Sequence, residues 1–223
     1  MFNYVTPTIT YPEPQTTTIN GSRWYITPDG TFPSVTTMLS YEVKPWFEQW
    51  KSRVGAKEAR KESDRASIRG TAVHKMCELY LQNKDPDDIM RGQQRDYIRL
   101  FNQIKMALNK RINNIRAQEL ALWSKTLNLA GRTDCIAEYD GKLSVIDFKT
   151  AKNVKGEETV QDYFLQSTAY ALMYHEMYGE RIDNIVVIIT AGTGLMPTVF
   201  IKQIDPYIEP LIIRSDKFLS SVK

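Results

Sequence analysis

Along the chain the apolar residues change period several times, and each change marks a different kind of element. Roughly the first 30 residues are rich in Pro and Thr and carry no helical period. Within them "INGSRWYITPDG" alternates between apolar and polar positions, which predicts a hairpin with turns at Asn20-Gly21 and Asp29-Gly30. After "FPSVTTML" the spacing becomes helical. "KPWFEQWKSRVGAKEARKESDRA" (44–66) puts Pro45 at a first helical position and Trp46 and Trp50 four apart. A second helix is predicted over 66–82, with Val73, Met76, Cys77 and Tyr80 on its apolar face. A third, long and amphipathic, is predicted from near Pro86 to about Ile115.

The period then shortens. "ELALWSKTLNLAGRTDCIAEYDGKLSVIDFK" reads as three or four short strands joined by tight turns, with Cys135, Ala137 and Tyr139 on one face and Tyr139-Asp140-Gly141-Lys142 as a turn. A helix over 159–178, a buried strand over 184–190, the strand "TVFIKQ" and a final helix from about Pro206 complete the chain. This order predicts an α/β (α+β) fold with a central mixed β-sheet flanked by helices. It also predicts one domain over 1–223, with an N-terminal extension (1–43), a helical part (44–117) and a sheet core (118–223).

Composition adds limits. The 223 residues, 42% of them hydrophobic and 25% charged, are ordinary for a globular chain able to bury a core. No apolar run approaches the ~20 residues of a membrane span, and the N-terminus has neither a secretory nor a transit pattern. Cys77 and Cys135 form no CxxC pair, so a reducing cytoplasmic setting with buried thiols is expected. Net charge is only +3, but Lys51–Arg69 holds seven basic residues against three acids and Lys105–Arg116 four against none. Such runs suit a phosphate backbone, and equally a solvated helix face.

The chemistry concentrates in "GRTDCIAEYDGKLSVIDFKTAK" (131–152). Asp147 and Lys149 are two apart on a strand and project to the same face, and the intervening turn folds Asp134 back toward them. Two carboxylates beside a lysine suit Mg²⁺ or Mn²⁺, which bind few carboxylates and keep several waters. Such an ion polarises a phosphoryl oxygen and acidifies an attacking water, while the lysine orients or deprotonates that water or neutralises developing charge. A neighbouring cation would also depress the lysine pKa. The bare [DE]xK pattern occurs three times, at Glu42-Val43-Lys44, Asp140-Gly141-Lys142 and Asp147-Phe148-Lys149. Only the last ends an apolar strand with another acid upstream, and an edge-strand Asp–Lys pair gives the same pattern.

Two features outside the hairpin bear on that choice. Gly70, His74 and Glu78 recur at i, i+4 and i+8 along one helix face, which offers His74 as a third metal ligand with Glu78 as its supporting partner. The glycine costs helix stability and points to a close approach there. Gln166 and Tyr170 stand four apart on a later helix, where they would hydrogen-bond a phosphate, stack on a base or simply pack inside.

Together, Gly70…His74, Gly131-Arg132-Thr133-Asp134, Asp147-Phe148-Lys149-Thr150 and Gln166…Tyr170 resemble the motif set of the RecB-like branch of the PD-(D/E)XK nuclease superfamily. "FPSVTTMLS" with "KPWFEQWKSRVG" is further similar to mitochondrial genome maintenance exonucleases and their phage relatives. No proline precedes Asp134, and Cys77 with Cys135 cannot supply the four thiolates of an iron–sulfur cluster. The resemblance implies a restriction-endonuclease-like fold and a DNA exonuclease preferring single strands, phage or bacterial, acting in the cytoplasm, with no membrane partner and with replication or recombination proteins as candidate partners. It implies Mg²⁺ or Mn²⁺ held by His74, Asp134, Asp147 and the Phe148 carbonyl, with Lys149 catalytic. It assigns Gln166, Tyr170, Ser34, Thr36, Thr37, Arg132, Thr150 and Lys152 to substrate, and places Glu78 and Glu119 around the metal. Ser34-Val35-Thr36-Thr37 also reads as a plain helix start.

Overall fold

Alternation near the N-terminus gives three short strands, β1 (Gln15–Ile19), β2 (Ser22–Thr27) and β3 (Gly30–Pro33), in a computed structural model that describes residues 1–6, 9–42 and 45–222, with only the backbone at Pro45 and Trp46. They form an antiparallel sheet whose first turn is Asn20-Gly21. The second turn lies at Pro28-Asp29, one residue earlier than the sequence predicts, because Thr27 pairs with Gly30 and its hydroxyl caps the turn. Five helices follow: α1 (Val35–Ser40), α2 (Pro45–Val54), α3 (Ala56–Leu81), α4 (Pro86–Met90) and α5 (Arg95–Leu108).

Two helix boundaries differ from expectation. The break falls at Gly55, whose φ of +84° cannot continue a helix, and α3 runs unbroken through Ala66. The third predicted helix is interrupted at Gly92 (φ +77°) and ends at Leu108. Chain reversal at Lys110 (φ +64°) then starts strand β4 (Ile112–Ser124), so the basic run Lys105–Arg116 is split between a helix, a turn and a strand. The sheet thus begins at Ile112, before the boundary expected at 117. Of the described side chains of α2 none is buried, so Trp50 lines a groove rather than a core; Trp46, Val43 and Lys44 lie outside the described residues or side chains.

The main sheet has the order β4-β5-β6-β7-β8, with β5 (Leu129–Tyr139), β6 (Lys142–Ala151), β7 (Asn184–Ala191) and β8 (Thr198–Gln203). Only β6 and β7 are parallel, and helix α6 (Gln161–Tyr178) makes the crossover such a pair requires. Every residue of β7 is buried, because its odd positions Ile185, Val187 and Ile189 face the core under α6 and α7 (Asp205–Ser221), while Val186 and Ile188 face that under α3 and α5. Three layers result, helices on both faces of a mixed sheet, which is the restriction-endonuclease-like arrangement. The exposed edge of β4 is covered by the N-terminal arm, through Val5 N–H to Ile115 O and Ile115 N–H to Asn3 O. Among the described residues no helix is long and apolar enough to cross a membrane.

One buried polar side chain joins the layers. Gln103 of α5 accepts from the Thr190 hydroxyl and from Ala191 N–H (3.3 Å), and its amide donates to Gly194 O at 2.8 Å. Gln103→Leu removes the complement of all three partners while keeping the volume, and leaves the Thr190 hydroxyl, Ala191 N–H and Gly194 carbonyl unpaired at ~1–3 kcal/mol for each that is buried. We expect a fall of about 2–4 kcal/mol in unfolding free energy, read as a lower denaturant midpoint with unchanged slope.

Candidate active site

The site forms where a hairpin comes apart. Pairing between β5 and β6 runs from Tyr139↔Lys142 to Cys135↔Ile146 and stops there. Beyond that point β5 stays with β4 as far as Leu129, and β6 stays with β7 as far as Ala151. Asp134 and Asp147 are the first residues past the last pair, one on each arm of the fork. The Phe148 N–H that the fork deprives of a strand partner donates instead to Asp134 Oδ2 at 2.7 Å. Asp134 Oδ1 lies 3.3 Å from His74 Nδ1 of α3, whose ring packs edge-on against Phe148. On the other arm Lys149 Nζ donates to Asp147 Oδ1 at 2.5 Å, and Asp147 is only 3% exposed.

Burial sets the two acids apart. It pushes Asp147 up to about 6, reinforced by Asp134 and only partly countered by Lys149. The same burial would raise Asp134, but the His74 charge and hydrogen bond, Lys149 and the Phe148 N–H outweigh it and hold this carboxyl below its ordinary value. Burial would discharge His74 and Lys149, yet the acids beside them win and raise both. Asp147 and Asp134 thus favour the charged form of Lys149, and the depression expected beside a bound cation concerns the metal-loaded site.

A third acid completes the cluster. The pairs Gln118↔Cys135 and Leu120↔Thr133 bracket Glu119 and Asp134, setting them directly across from each other. Glu119 does not open the first strand, as expected, but sits within β4 at φ +48°, and its carbonyl accepts from Arg132 Nη1. Burial, then Asp134, raises its pKa. His74, Glu119 and Asp134 each offer a ligand atom within 4.8 Å of the others, and Asp147 Oδ2 is buried with no hydrogen-bond partner among the described residues. One imidazole nitrogen, several carboxylate oxygens and an unsatisfied buried oxygen fit a divalent ion such as Mg²⁺ or Mn²⁺.

The other predicted residues fall into distinct places. Glu78 turns to Lys75 and Gln82, at 2.7 and 3.1 Å, rather than to His74. Arg132 spends its guanidinium on Glu119 O and on Glu13 of the N-terminal arm. Ser34 caps α1 by accepting from Thr37 N–H, and Thr37 donates to Arg23 O, whereas Thr36 is exposed on a cavity of about 490 Å³ that also meets Lys149 and Gln166. Tyr170 is 3% exposed and receives the Gln166 amide at 3.3 Å. Thr150 accepts from Arg69 at 3.3 Å, and Lys152 is exposed, 3.8 Å from Glu62. A Cβ on Gly70 would meet only Thr150 Oγ1 at 3.8 Å, an ordinary contact. Cys77 and Cys135 are free and buried, and burial raises both thiols. The decoy Asp140-Gly141 is a turn whose acid is bound by Arg111.

The fold is of the restriction-endonuclease-like kind. The chain belongs to the PD-(D/E)XK nuclease superfamily, whose family model matches residues 46–192 and so includes every element of the cluster. It is 29% identical over 176 residues to mitochondrial genome maintenance exonuclease 1 of Homo sapiens, covering 73% of this chain and 50% of that protein. Against the Mus musculus protein of the same name the identity is 29% over 175 residues, covering 74% and 51%. The chain thus spans about half the length of the curated relatives it matches. A crystal structure of a provisionally named exonuclease from Eubacterium rectale aligns with a TM-score of 0.43 and 9% identity, covering 68% of this chain and 66% of that one.

The glycine that opens the strand motif has a packing reason. A Cβ on Gly131 would lie 2.6 Å from Tyr170 Cε1 and 2.9 Å from its hydroxyl, so the second and last motifs interlock. Gly131→Ala should destabilise by about 1–3 kcal/mol. In thermal melts the Gly131→Ala/Tyr170→Leu double variant should lose less than the sum of the two single variants. Strict additivity would show that the two residues are not coupled.

Proposed function

We propose that this chain is a metal-dependent deoxyribonuclease that hydrolyses phosphodiester bonds at single-stranded DNA ends, with Mg²⁺ or Mn²⁺ as its cofactor. The observation that carries the reading is the gathering of His74, Asp134, Asp147 and Lys149 at one strand fork, with Asp147 Oδ2 left unpaired. His74, Asp134, Asp147 and the Phe148 carbonyl would hold the ion, and Glu119 is placed to join them. When bound, the ion supplies Lewis-acid polarisation of the scissile phosphate and an acidified water. Lys149, hydrogen-bonded to Asp147, would orient or deprotonate that water or neutralise charge developing on the phosphoryl oxygens.

The strand path is supported by two adjoining hollows. A groove of about 840 Å³ is lined by Arg53, Lys152 and Lys155 with the acids Glu58 and Glu62 and the rings of Phe47 and Trp50, and it shares Phe47 and Lys155 with the cavity at Lys149. Cations interleaved with aromatic rings suit a single strand, whose phosphates need charge and whose unpaired bases need stacking partners. The exonuclease names of the two curated relatives support action from an end. Replication or recombination proteins are the partners such an activity would serve.

End-labelled linear single strands should be degraded with Mg²⁺ or Mn²⁺ and spared in EDTA, while circular single strands persist. Cleavage of the circle would replace the exonuclease with an endonuclease. Asp147→Asn, which keeps an acceptor for Lys149, and Lys149→Met should each lower the rate about 10³-fold with unchanged circular dichroism. Wild-type rates in either variant would overturn the assignment.

A further inference from the structure

Among the described residues Lys149, at the end of a flexible four-carbon stem, hydrogen-bonds Asp147 Oδ1 at 2.5 Å. A single bond fixes the distance from that oxygen and little else. The second restraint is an aromatic ring. Tyr163, in the first turn of α6 and three residues before Gln166, has its ring centroid 5.2 Å from Lys149 Nζ and 5.7 Å from Lys155 Nζ. The ring is half-buried and lines the cavity that Lys149 and Gln166 also line. Both separations lie within the ~6 Å at which a ring face attracts an ammonium.

We propose that Tyr163 is a positioning residue for Lys149, its ring face holding the ammonium beside Asp147 so that the remaining N–H donors point at the scissile phosphate. The contact needs no hydrogen bond from the ammonium, which therefore keeps its donors for substrate. It depends on the ring and not on the phenol hydroxyl. Lys155 meets the same ring from the loop after β6 and belongs to the groove, so the ring also joins the strand path to the reacting end.

This inference rests on the deoxyribonuclease reading, and its test separates the two. Steady-state cleavage of a linear single-stranded oligonucleotide with Mn²⁺ is measured for wild type, Tyr163→Phe and Tyr163→Leu. The Leu variant should lose about tenfold in kcat, equivalent to ~1.4 kcal/mol, with KM changed less than about twofold, the pattern of a lost transition-state contact. Tyr163→Phe should recover most of that kcat. If the Leu side chain lowers the melting point below the assay temperature, Tyr163→Met takes its place, being unbranched and adaptable. A rise in KM at constant kcat would make the ring a base-stacking platform and overturn the proposal. Equal losses in the Phe and Leu variants would do the same by assigning the role to the hydroxyl. An active wild type with an unaffected Leu variant removes this proposal alone, whereas a wild type inert on every DNA form removes the nuclease reading with it.

Discussion

The termination of β5–β6 pairing at Cys135↔Ile146 is the constraint on which the rest of the site depends. A hairpin that continued would satisfy Phe148 N–H with a β5 carbonyl and would leave Asp134 an ordinary strand residue. Because β5 parts with β4 while β6 stays with its parallel partner β7, the donor is orphaned, and a buried N–H without a partner is costly. Asp134 supplies the acceptor, and in doing so its carboxylate is fixed in the gap between the arms, within reach of His74 on α3. The parallel pair in turn exists only because α6 crosses back over the sheet, and α6 brings Tyr163, Gln166 and Tyr170 with it. One choice of strand partner therefore places residues from four elements.

Burying two acids, a histidine and a lysine together is expensive, and the cost explains the pairings. Each charge has an opposite neighbour: His74 with Asp134, Lys149 with Asp147. An uncompensated buried charge would cost several kcal/mol, so neither pair can be halved without consequence. Burial and Asp134 raise the pKa of Glu119, and Asp147 Oδ2 has no hydrogen-bond partner among the described residues.

Much of the architecture was legible in the sequence. The strand from 184 to 190, the crossover helix before it and the Asp140-Gly141 turn follow from apolar runs and turn chemistry, and they appear as β7, α6 and the β5–β6 turn. The helix boundaries at Gly55 and Gly92 were missed because helical periodicity outvoted a single glycine in each case, although positive φ forces the break. Glu119, which the resemblance places around the metal, also follows from the register: counting back from the Ser124↔Leu129 turn sets it opposite Asp134.

The sequence by itself determined which residue types were available and their local geometry: Asp147 and Lys149 two apart on a strand, His74 on a helix face, Gly131 and Tyr170 in their motifs. These depend on short-range periodicity, which a linear pattern records directly. Only the tertiary structure decided that Glu119 joins His74 and Asp134, and that Arg132 binds the Glu119 carbonyl and Glu13. It alone decided that Tyr163 lies against Lys149. Those contacts follow from where two strands part and which helix crosses the gap, and such a long-range choice leaves no mark in the spacing of neighbouring residues.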